Sequence, residues 1–278
     1  MTATIDLHLH TTCSDGKKSP EELLDLVRRS GVAAFAVTDH DSLDGYRQVA
    51  ALLQEGDPEL IPGIELSARI GDRDVHLLAY LFDPAHDELN RQIEDFRQKR
   101  ERRGRLIVEK LEELGLKVPF AEVQKAAGDG VIGRPHIAEA MVAAGAVHHY
   151  EEAFRKYISN SGPAYVAKAK MTPEEAITLT HHAGGVAVLA HPFIDDMYEH
   201  LPMLAELGLD GIEIHHYSHS AGDVERARQL AERYNLLLSG GSDFHGRESR
   251  SAIIGADKVP MAFLDALKQR SQDIRGRA

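Results

Sequence analysis

The sequence predicts a barrel-like α/β domain that is split by a helical insertion. Short apolar runs, typical of buried strands, alternate with amphipathic helical stretches in the first eighty residues. The same alternation returns after about residue 172, whereas the segment between is long, charged and helical in pattern. Strands that alternate with helices imply parallel pairing with the helices outside. We therefore expect one barrel formed by residues 1–83 and 172–278, with residues 84–171 inserted as a helical lid.

The first half of the barrel begins with a strand and a well-marked helix. Residues 4–10 alternate apolar and polar side chains, as a half-buried strand does. Ser19 and Pro20, followed by two acidic residues, are a typical helix start, and Gly31 is placed to end that helix. The next elements are expected to be a strand at Ala34–Thr38, a helix at Tyr46–Glu55, and strands at Leu60–Leu66 and Val75–Phe82.

The insertion is predicted to begin with a long helix over Glu88–Val118. Six basic residues lie between Arg97 and Arg105. We interpret them as a solvated helix face whose basic residues pair with acidic residues four positions away. The alternative is that they guide RNA toward a site. Shorter helices are expected at Ala121–Ala127, Pro135–Ala144, Tyr150–Tyr157 and after Thr172, and the remaining strands at Val186–Ala190, Gly211–His215, Leu236–Gly240 and Ile253–Ile254.

Composition and charge exclude several classes of protein. Of the 278 residues, 43% are hydrophobic and 27% are charged, which is the composition of a soluble globular protein. No apolar run approaches the ~20 residues that span a membrane, and the first residues lack the pattern of a signal peptide. A net charge of -12 disfavours binding to long DNA or RNA through their phosphates. A single cysteine excludes an internal disulfide, and we expect a cytoplasmic protein.

The chain contains 16 histidines, and many of them follow predicted strands. In parallel barrels the carboxyl ends of the strands meet at one mouth, so we expect these side chains to converge. His8 and His10 are two apart on a strand and point to the same face, where both rings can reach one ion. The residues expected at this mouth are His8, His10, Asp15, Asp39, His40, Glu65, His76, His191, His215, His216, Asp243 and His245. Neutral imidazoles and carboxylates suit zinc, manganese or iron.

Several blocks carry a resemblance to a known family. Four of them follow one another on successive predicted strands: His8–His10, Thr38–His40, Ala190–Pro192 and Gly241–His245. Together with Thr11–Lys18 and Pro62–Glu65, they resemble the motifs of the polymerase and histidinol phosphatase (PHP) superfamily. Gly133–Ala138 and Gly162–Val166 resemble the branch that contains 3′,5′-nucleoside bisphosphate phosphatases and RNase AM, a 5′-to-3′ exoribonuclease of short RNAs. The resemblance implies an α/β fold of the distorted (β/α)7 barrel type, with the helical segment inserted.

The resemblance also implies a cluster of two or three divalent metal ions. Manganese is the expected metal, and zinc and iron are the alternatives. Carried over position by position, the first ion would be held by His8, His10, Glu65 and Asp243. Glu65 would bridge to a second ion, whose other ligands would be His76 and His191. A third ion would be held by Asp15, His40 and His245. Asp39 is expected to orient an imidazole and not to bind an ion.

General chemistry then provides a mechanism for the hydrolysis of a phosphate ester. Two ions that share a water lower its pKa, and the resulting hydroxide attacks phosphorus in line. His191 and His215 are both candidates for protonating the leaving oxygen. Arg134 and His136 are expected to hold a substrate phosphate, since a guanidinium matches two phosphate oxygens, and Lys168 is expected to meet a second phosphate.

The substrate that the resemblance implies is a nucleoside 3′,5′-bisphosphate, which would lose its 3′-phosphate. Short 5′-phosphorylated RNA is the alternative, and the acidic net charge favours the smaller substrate. Histidinol phosphate is a further alternative substrate. Hydrolysis of amides or carboxylic esters, and a non-catalytic metal-binding module, are the remaining hypotheses, although filled ligand positions in a stand-alone chain disfavour the last.

Overall fold

A nearly closed barrel of strands forms the larger part of the molecule. The computed structural model describes residues 3–128, 130–167, 171–246 and 253–277. Its strands are β1 (Thr4–Leu9), β2 (Ala34–Val37), β3 (Glu59–Ile70), β4 (Arg73–Tyr80), β5 (Val186–Leu189), β6 (Gly211–His215), β7 (Leu237–Gly240) and β8 (Val259–Pro260). Neighbouring strands follow the order β7-β6-β5-β4-β3-β2-β1-β8. The segment after β7 closes the barrel onto β1, where the His10 N–H donates to the Phe244 carbonyl oxygen at 3.0 Å.

The helices up to residue 182 begin close to the predicted residues, whereas the three helices that follow were not predicted. They are α1 (Pro20–Ser30), α2 (Asp44–Leu52), α3 (Asp87–Glu113), α4 (Phe120–Ala127), α5 (Arg134–Ala143), α6 (Tyr150–Ala153), α7 (Pro173–His182), α8 (Leu201–Glu206), α9 (Ala221–Tyr234) and α10 (Met261–Arg275). In α1 the Ser19 side chain accepts from the Glu22 N–H at 3.1 Å. Gly31 ends that helix with a φ of 78°, a left-handed conformation that glycine adopts at little cost. Strands alternating with helices around an inserted helical segment confirm the predicted fold class.

The predicted parallel pairing fails at β4. β4 runs antiparallel to both β3 and β5. Ile70 pairs with Arg73, so that only Gly71 and Asp72 connect β3 to β4. A connection of two residues returns the chain in the opposite direction, whereas a parallel partner requires a long crossover. The expectation of uniformly parallel strands is therefore wrong at β4, where a hairpin replaces the helical crossover.

The last predicted strand also lies elsewhere. Ile253 and Ile254 do not form a strand; Ile254 lies in a turn, and Ile253 is 65% exposed. Val259 and Pro260 form β8 instead and pair antiparallel with β1. Proline is tolerated there because β8 is at the edge of the sheet and needs no donor on its outer side.

Apolar side chains fix the insertion to the barrel. One cluster joins β3–β6 to α7–α9 and includes Leu89 and Phe96 from the first half of α3. A separate cluster within α3–α6 includes Ile107 and Leu111 from the second half of the same helix. α3 thus packs on the barrel at one end and forms the core of the insertion at the other. The insertion boundaries at residues 84 and 171 stay a prediction.

Among the described residues, no helix is both long and apolar enough to span a membrane.

Candidate active site

β1 and the residue that follows it place two imidazoles at the mouth of the barrel. His8 and His10 are fully buried, and their ring centroids lie 5.1 Å apart. Side chains two apart on a strand share a face, which is why the His-x-His pattern places both rings at one point.

Glu65 on β3 is the centre of the cluster, and its carboxylate is buried. Its two oxygens lie near five imidazoles. Oε2 is 3.3 Å from His8 Nε2, 3.3 Å from His10 Nε2 and 3.2 Å from His40 Nδ1, and Oε1 is 2.8 Å from His76 Nδ1 and 3.2 Å from His191 Nε2. A carboxylate shared in this way has the position expected of a group that bridges two ions.

Two aspartates complete the cluster from loops that follow β1 and β7. Asp243 Oδ1 lies 3.4 Å from His8 Nε2 and 3.2 Å from His10 Nε2. Asp15 Oδ1 lies 3.2 Å from His245 Nε2 and 3.9 Å from His40 Nε2. The structure therefore brings all nine predicted ligands to one mouth.

The candidate ligand atoms form three overlapping groups. Within each group, every ligand atom lies within 4.8 Å of the others. The groups are His8, His10 and Asp243; His40, Glu65 and His76; and His10, Asp15, His40 and His245. They agree with the three predicted sets in most members. His10 and His40 each belong to two groups, and His191 adjoins the second through Glu65.

The donor set fits divalent metal ions. Four ring nitrogens in the cluster have no hydrogen-bond partner within the described residues, namely His10 Nδ1 and Nε2, His40 Nδ1 and His191 Nδ1. Carboxylate oxygens come as near as 3.2 Å to His10 Nε2 and to His40 Nδ1, but outside hydrogen-bond geometry. Buried polar atoms in proteins are nearly always partnered, so these nitrogens indicate a missing partner such as a cation. Imidazole and carboxylate together are the donors that manganese, zinc and iron accept.

Electrostatics favour a bound cation. Burial would raise the pKa of Glu65, but the surrounding imidazoles hold it well below its usual value, so the carboxylate is ionised. Burial would lower the pKa of His10, but Asp243 and Glu65 outweigh it and raise the pKa to about 10. Burial lowers the pKa of His40 to about 3, which keeps its ring neutral. In an ion-free site, protons on the imidazoles supply the positive charge that the carboxylates attract, and metal binding would displace them.

Glu213 on β6 holds two of these imidazole-bearing segments, and the sequence analysis did not identify it. Its Oε1 lies 2.9 Å from His8 Nδ1, and its Oε2 accepts from the His191 N–H at 2.8 Å. The His191 backbone has a φ of 27°, and that of Asp243 has a φ of 50°. Such values are uncommon outside glycine and recur at functional sites, where the surroundings over-determine the backbone. A glutamate inside the apolar run of β6 is the signal that could have identified it.

Asp6 is a second buried carboxylate that supports the site. Its side chain accepts from the backbone N–H groups of His8 at 3.3 Å, Ser242 at 2.9 Å and Gly255 at 2.9 Å. It thereby ties β1 to the loop that carries Asp243. Burial raises the pKa of Asp6 to about 6, although these donors oppose the shift.

Asp39 has a different role from the predicted one. Its carboxylate accepts from the Thr11 N–H at 2.7 Å, from Thr11 Oγ1 at 2.6 Å and from Ser14 Oγ at 2.6 Å. It therefore fixes the loop after β1, which carries Asp15, and the expectation that it orients an imidazole is wrong.

His216, and not His215, contacts the cluster. His216 Nε2 lies 3.1 Å from Asp243 Oδ2, whereas the His215 ring stacks on Phe263 with centroids 6.0 Å apart. The cause is an irregularity in the pairing of β6 with β7 between Glu213 and His215, which reverses the alternation of side chains. The placement of His215 against α10 does not support its predicted role as proton donor.

A cavity of about 260 Å³ opens beside the cluster and is lined by four arginines. His40, His76 and Asp15 form its wall toward the cluster, and the arginines are Arg69, Arg100, Arg103 and Arg134. The pKa of Arg103 is lowered to about 10 by burial and by the adjacent guanidinium groups of Arg134 and Arg100. Nε of Arg69 and Nε of Arg100 are buried and have no hydrogen-bond partner in the part of the chain that the structure describes. Positive charges held together with unused donors indicate an anion-binding pocket, here named the arginine pocket.

The basic run of α3 is only partly a solvated face. Arg105 pairs with Glu101 at 2.7 Å, as predicted for residues four apart. Arg100 instead forms a buried ion pair with Asp41, and Arg103 Nε–H donates to the Val166 carbonyl oxygen at 2.7 Å. The interpretation of the whole run as solvent-facing is therefore wrong for these two residues.

The predicted phosphate-binding residues take different positions. Arg134 and His136 both line the arginine pocket. Arg134 Nη1 donates to the Ile158 carbonyl oxygen at 3.1 Å and to Asn160 Oδ1 at 2.7 Å, so its guanidinium is already oriented. His136 Nδ1 accepts from the Gly133 N–H at 3.2 Å and caps α5. Lys168 lies outside the described residues.

Comparisons with curated proteins identify relatives that match most of the chain. A 3′,5′-nucleoside bisphosphate phosphatase from Chromobacterium violaceum is 34% identical over 251 residues, which cover 87% of this chain and 87% of that protein. A 5′-3′ exoribonuclease from Haemophilus influenzae is 32% identical over 250 residues, covering 88% of this chain and 91% of that protein.

Structural similarity extends over nearly the whole chain. A crystal structure of a candidate metal-dependent phosphoesterase from Bifidobacterium adolescentis matches with a TM-score of 0.85 and 30% identity, covering 96% of both chains. The PHP domain family model matches residues 6–239, and the resemblance inferred from the motifs is thereby confirmed. The chain belongs to the PHP domain family.

Proposed function

We propose that this protein is a metal-dependent phosphoesterase that removes the 3′-phosphate of nucleoside 3′,5′-bisphosphates. The observation that carries the proposal is the arginine pocket, which shares a wall with the imidazole and carboxylate cluster. A substrate with two phosphates satisfies both, since one phosphate can lie at the cluster while the other neutralises the arginines. The Chromobacterium violaceum relative named for this reaction supports the same substrate class. A cytoplasmic location fits a nucleotide substrate.

The nine clustered residues would hold two or three divalent ions, and we propose manganese. His8, His10, Glu65 and Asp243 would hold one ion, Glu65, His76 and His191 another, and Asp15, His40 and His245 a third. Bound ions lower the pKa of water and neutralise charge on phosphate oxygens, which is the chemistry this hydrolysis needs.

The chain's own groups position the substrate and its proton. Arg134, held by Ile158 and Asn160, would pair with the distant phosphate through its remaining N–H groups. With Nε2 of His191 directed at the ion shared with Glu65, whose Oε1 lies 3.2 Å away, the ring would carry its proton on Nδ1 and would be the candidate donor to the leaving oxygen.

Phosphate release by the purified protein, supplied with manganese, tests the proposal. Adenosine 3′,5′-bisphosphate, 3′-adenosine monophosphate, histidinol phosphate and p-nitrophenyl phosphate are compared at equal concentrations. We expect the bisphosphate to have the highest kcat/KM and to yield the 5′-monophosphate. A higher kcat/KM for histidinol phosphate, or equal values for all four, would contradict the proposal.

Exonuclease action on short 5′-phosphorylated RNA is the second candidate function. The Haemophilus influenzae relative favours it, and a 5′-terminal phosphate would occupy the arginine pocket in the same way. A 5′-phosphorylated pentaribonucleotide separates the two functions. Release of 5′-mononucleotides at a kcat/KM above that for the bisphosphate would make RNA the substrate.

Arg134→Ala tests the assignment of the arginine pocket. We expect KM for the bisphosphate to rise about 10- to 100-fold, because a charge-assisted hydrogen bond contributes about 1.5–3 kcal/mol. Arg105→Ala, an exposed arginine of the same insertion, is the matched control and should leave KM unchanged. An unchanged KM in Arg134→Ala would remove Arg134 from the substrate site.

A further inference from the structure

A buried ion pair joins the helical insertion to the barrel beside the candidate metal centre. Arg100 of α3 pairs with Asp41, which lies directly after His40 in the loop that follows β2. The side chains are 11% and 1% exposed. Other ion pairs between these parts of the molecule are more exposed, such as Arg97 with Asp44 at 3.3 Å.

The barrel fixes Asp41 firmly. Its N–H donates to the Glu65 carbonyl oxygen at 3.0 Å, and its Oδ1 accepts from the Ser67 N–H at 2.7 Å. Its backbone has a φ of 51°, a left-handed conformation that aspartate and asparagine tolerate better than most residues. The carboxylate is thus held by β3 while its Oδ2 accepts from Arg100.

The pair also orients Arg100 toward the arginine pocket. Arg100 Nη2 donates to Asp41 and lies 3.4 Å from Ser67 Oγ, while its buried Nε has no hydrogen-bond partner among the described residues. Arg100 lines the pocket, whereas Asp41 is not among the described lining residues. A buried guanidinium beside two others would be repelled from this position unless a carboxylate offset its charge.

We propose that Asp41 is a positioning residue that holds Arg100 in the arginine pocket and so makes the enzyme selective for substrates with a second phosphate. The inference rests on the proposed function, because it assigns the second phosphate to this pocket. Asp41 acts on the substrate only through Arg100.

Asp41→Asn is the direct test, because asparagine keeps the size, tolerates the left-handed backbone and can still accept from Ser67. We expect KM for adenosine 3′,5′-bisphosphate to rise by about 10-fold or more, in the range for losing one charged hydrogen bond. The kcat/KM for p-nitrophenyl phosphate, which has no second phosphate, should change less than about 2-fold. Asp44→Asn, in the exposed pair with Arg97, is the matched control and should alter neither value.

A double-mutant cycle distinguishes positioning from a separate effect on the His40 loop. If Asp41 acts through Arg100, the double variant Asp41→Asn/Arg100→Gln should be no more impaired than Arg100→Gln alone. Metal content should be unchanged in all three proteins. Additive losses, equal losses for both substrates, or loss of metal in Asp41→Asn would overturn the inference.

Binding measured without turnover separates this inference from the proposed reaction. Calorimetric titration with adenosine 3′,5′-bisphosphate, in the absence of added metal, should show weaker binding to Asp41→Asn than to the wild type. Equal affinities would overturn the positioning role even if the wild-type enzyme is active. Failure of the wild type to release phosphate from the bisphosphate would contradict the proposed function alone.

Discussion

Glu213 illustrates how a single residue can organise a site without belonging to the set of proposed ligands. One of its oxygens faces His8 Nδ1 and the other accepts from the His191 backbone. It therefore fixes which nitrogen of His8 carries the proton and leaves Nε2 directed at Glu65 and Asp243. Carboxylates that contact metal-binding histidines in this way set ring orientation and increase the basicity of the ligand.

Glu213→Gln should weaken metal binding without abolishing the fold. Glutamine keeps the volume but loses the charge that favours the required tautomer of His8. We expect metal affinity or kcat to fall about 10- to 100-fold, as for other residues that support ligands. Metal content after dialysis against a metal buffer measures the effect, with Glu232→Gln on the exposed face of α9 as the control. Retention of full metal content and kcat would show that Glu213 is only a packing residue.

The sequence predicted which side chains cluster better than it predicted the residues that support them. His8 and His10 are recognisable because a spacing of two on a strand is a local property. His216 contacts the cluster in place of His215 because β6 pairs irregularly with β7, and no local pattern in the sequence reveals this irregularity. The pairing of Arg100 with Asp41 joins residues 59 apart in the chain and depends on how α3 packs.

At the scale of strands and helices, the apolar pattern failed to predict the β3–β4 hairpin. Because β4 runs antiparallel, His76 reaches the mouth from the first half of its strand, opposite Ser67 of β3. The rule that functional residues follow strand ends therefore fails for His76, and also for Glu65, which lies within β3. The helices with N-caps such as Ser19 and Thr172 were easier to predict, because a capping box is recognisable from four consecutive residues.

The side chain of Asp210 joins α7, β5 and α10. Its side chain lies 2.7 Å from His181 Nε2 of α7 and accepts from Arg270 Nε at 2.7 Å and from the Ala187 N–H at 2.9 Å. Burial would raise the pKa of Asp210, but His181, Ala187 and Arg270 outweigh it and lower the pKa. An aspartate whose pKa is depressed on folding stabilises the fold above its unfolded pKa of about 3.9, and this contribution is lost as the pH falls below that value.

Asp210→Asn should therefore destabilise the protein at neutral pH and less so in acid. We expect a loss of about 2–4 kcal/mol in the free energy of unfolding at pH 7, the range for breaking a buried charged network. The difference from the wild type should narrow as the pH falls below about 3.9, because Asp210 loses its charge in the fold only as the pH passes through its lowered pKa. Urea unfolding across this pH range measures it, with the exposed Asp265→Asn on α10 as the control. A difference that does not change with pH would assign the loss to packing.

For the whole molecule, barrel and insertion supply different halves of the proposed site. The barrel contributes all nine clustered residues, which lie outside residues 84–171. The insertion contributes Arg100, Arg103 and Arg134 to the arginine pocket, with Arg69 from β3. Since α3 packs on the barrel before it enters the insertion core, the distance between cluster and pocket is set by one continuous helix. Such an arrangement suits recognition of a fixed separation between two phosphates.

Metal removal should affect the stability of the whole protein, because the clustered ligands come from both ends of the barrel sequence. His8 and His245 can lie together only when the barrel is closed, so a divalent ion binds the folded chain and not the unfolded one. Manganese at about 100 times its Kd should stabilise the fold by about 2.7 kcal/mol, and a chelator should reverse the effect. In a protein of this size, that corresponds to a rise in Tm of roughly 5–10 °C. The double variant Asp243→Asn/His245→Ala should show little or no rise, and an equal rise in both proteins would place the stabilising ion elsewhere.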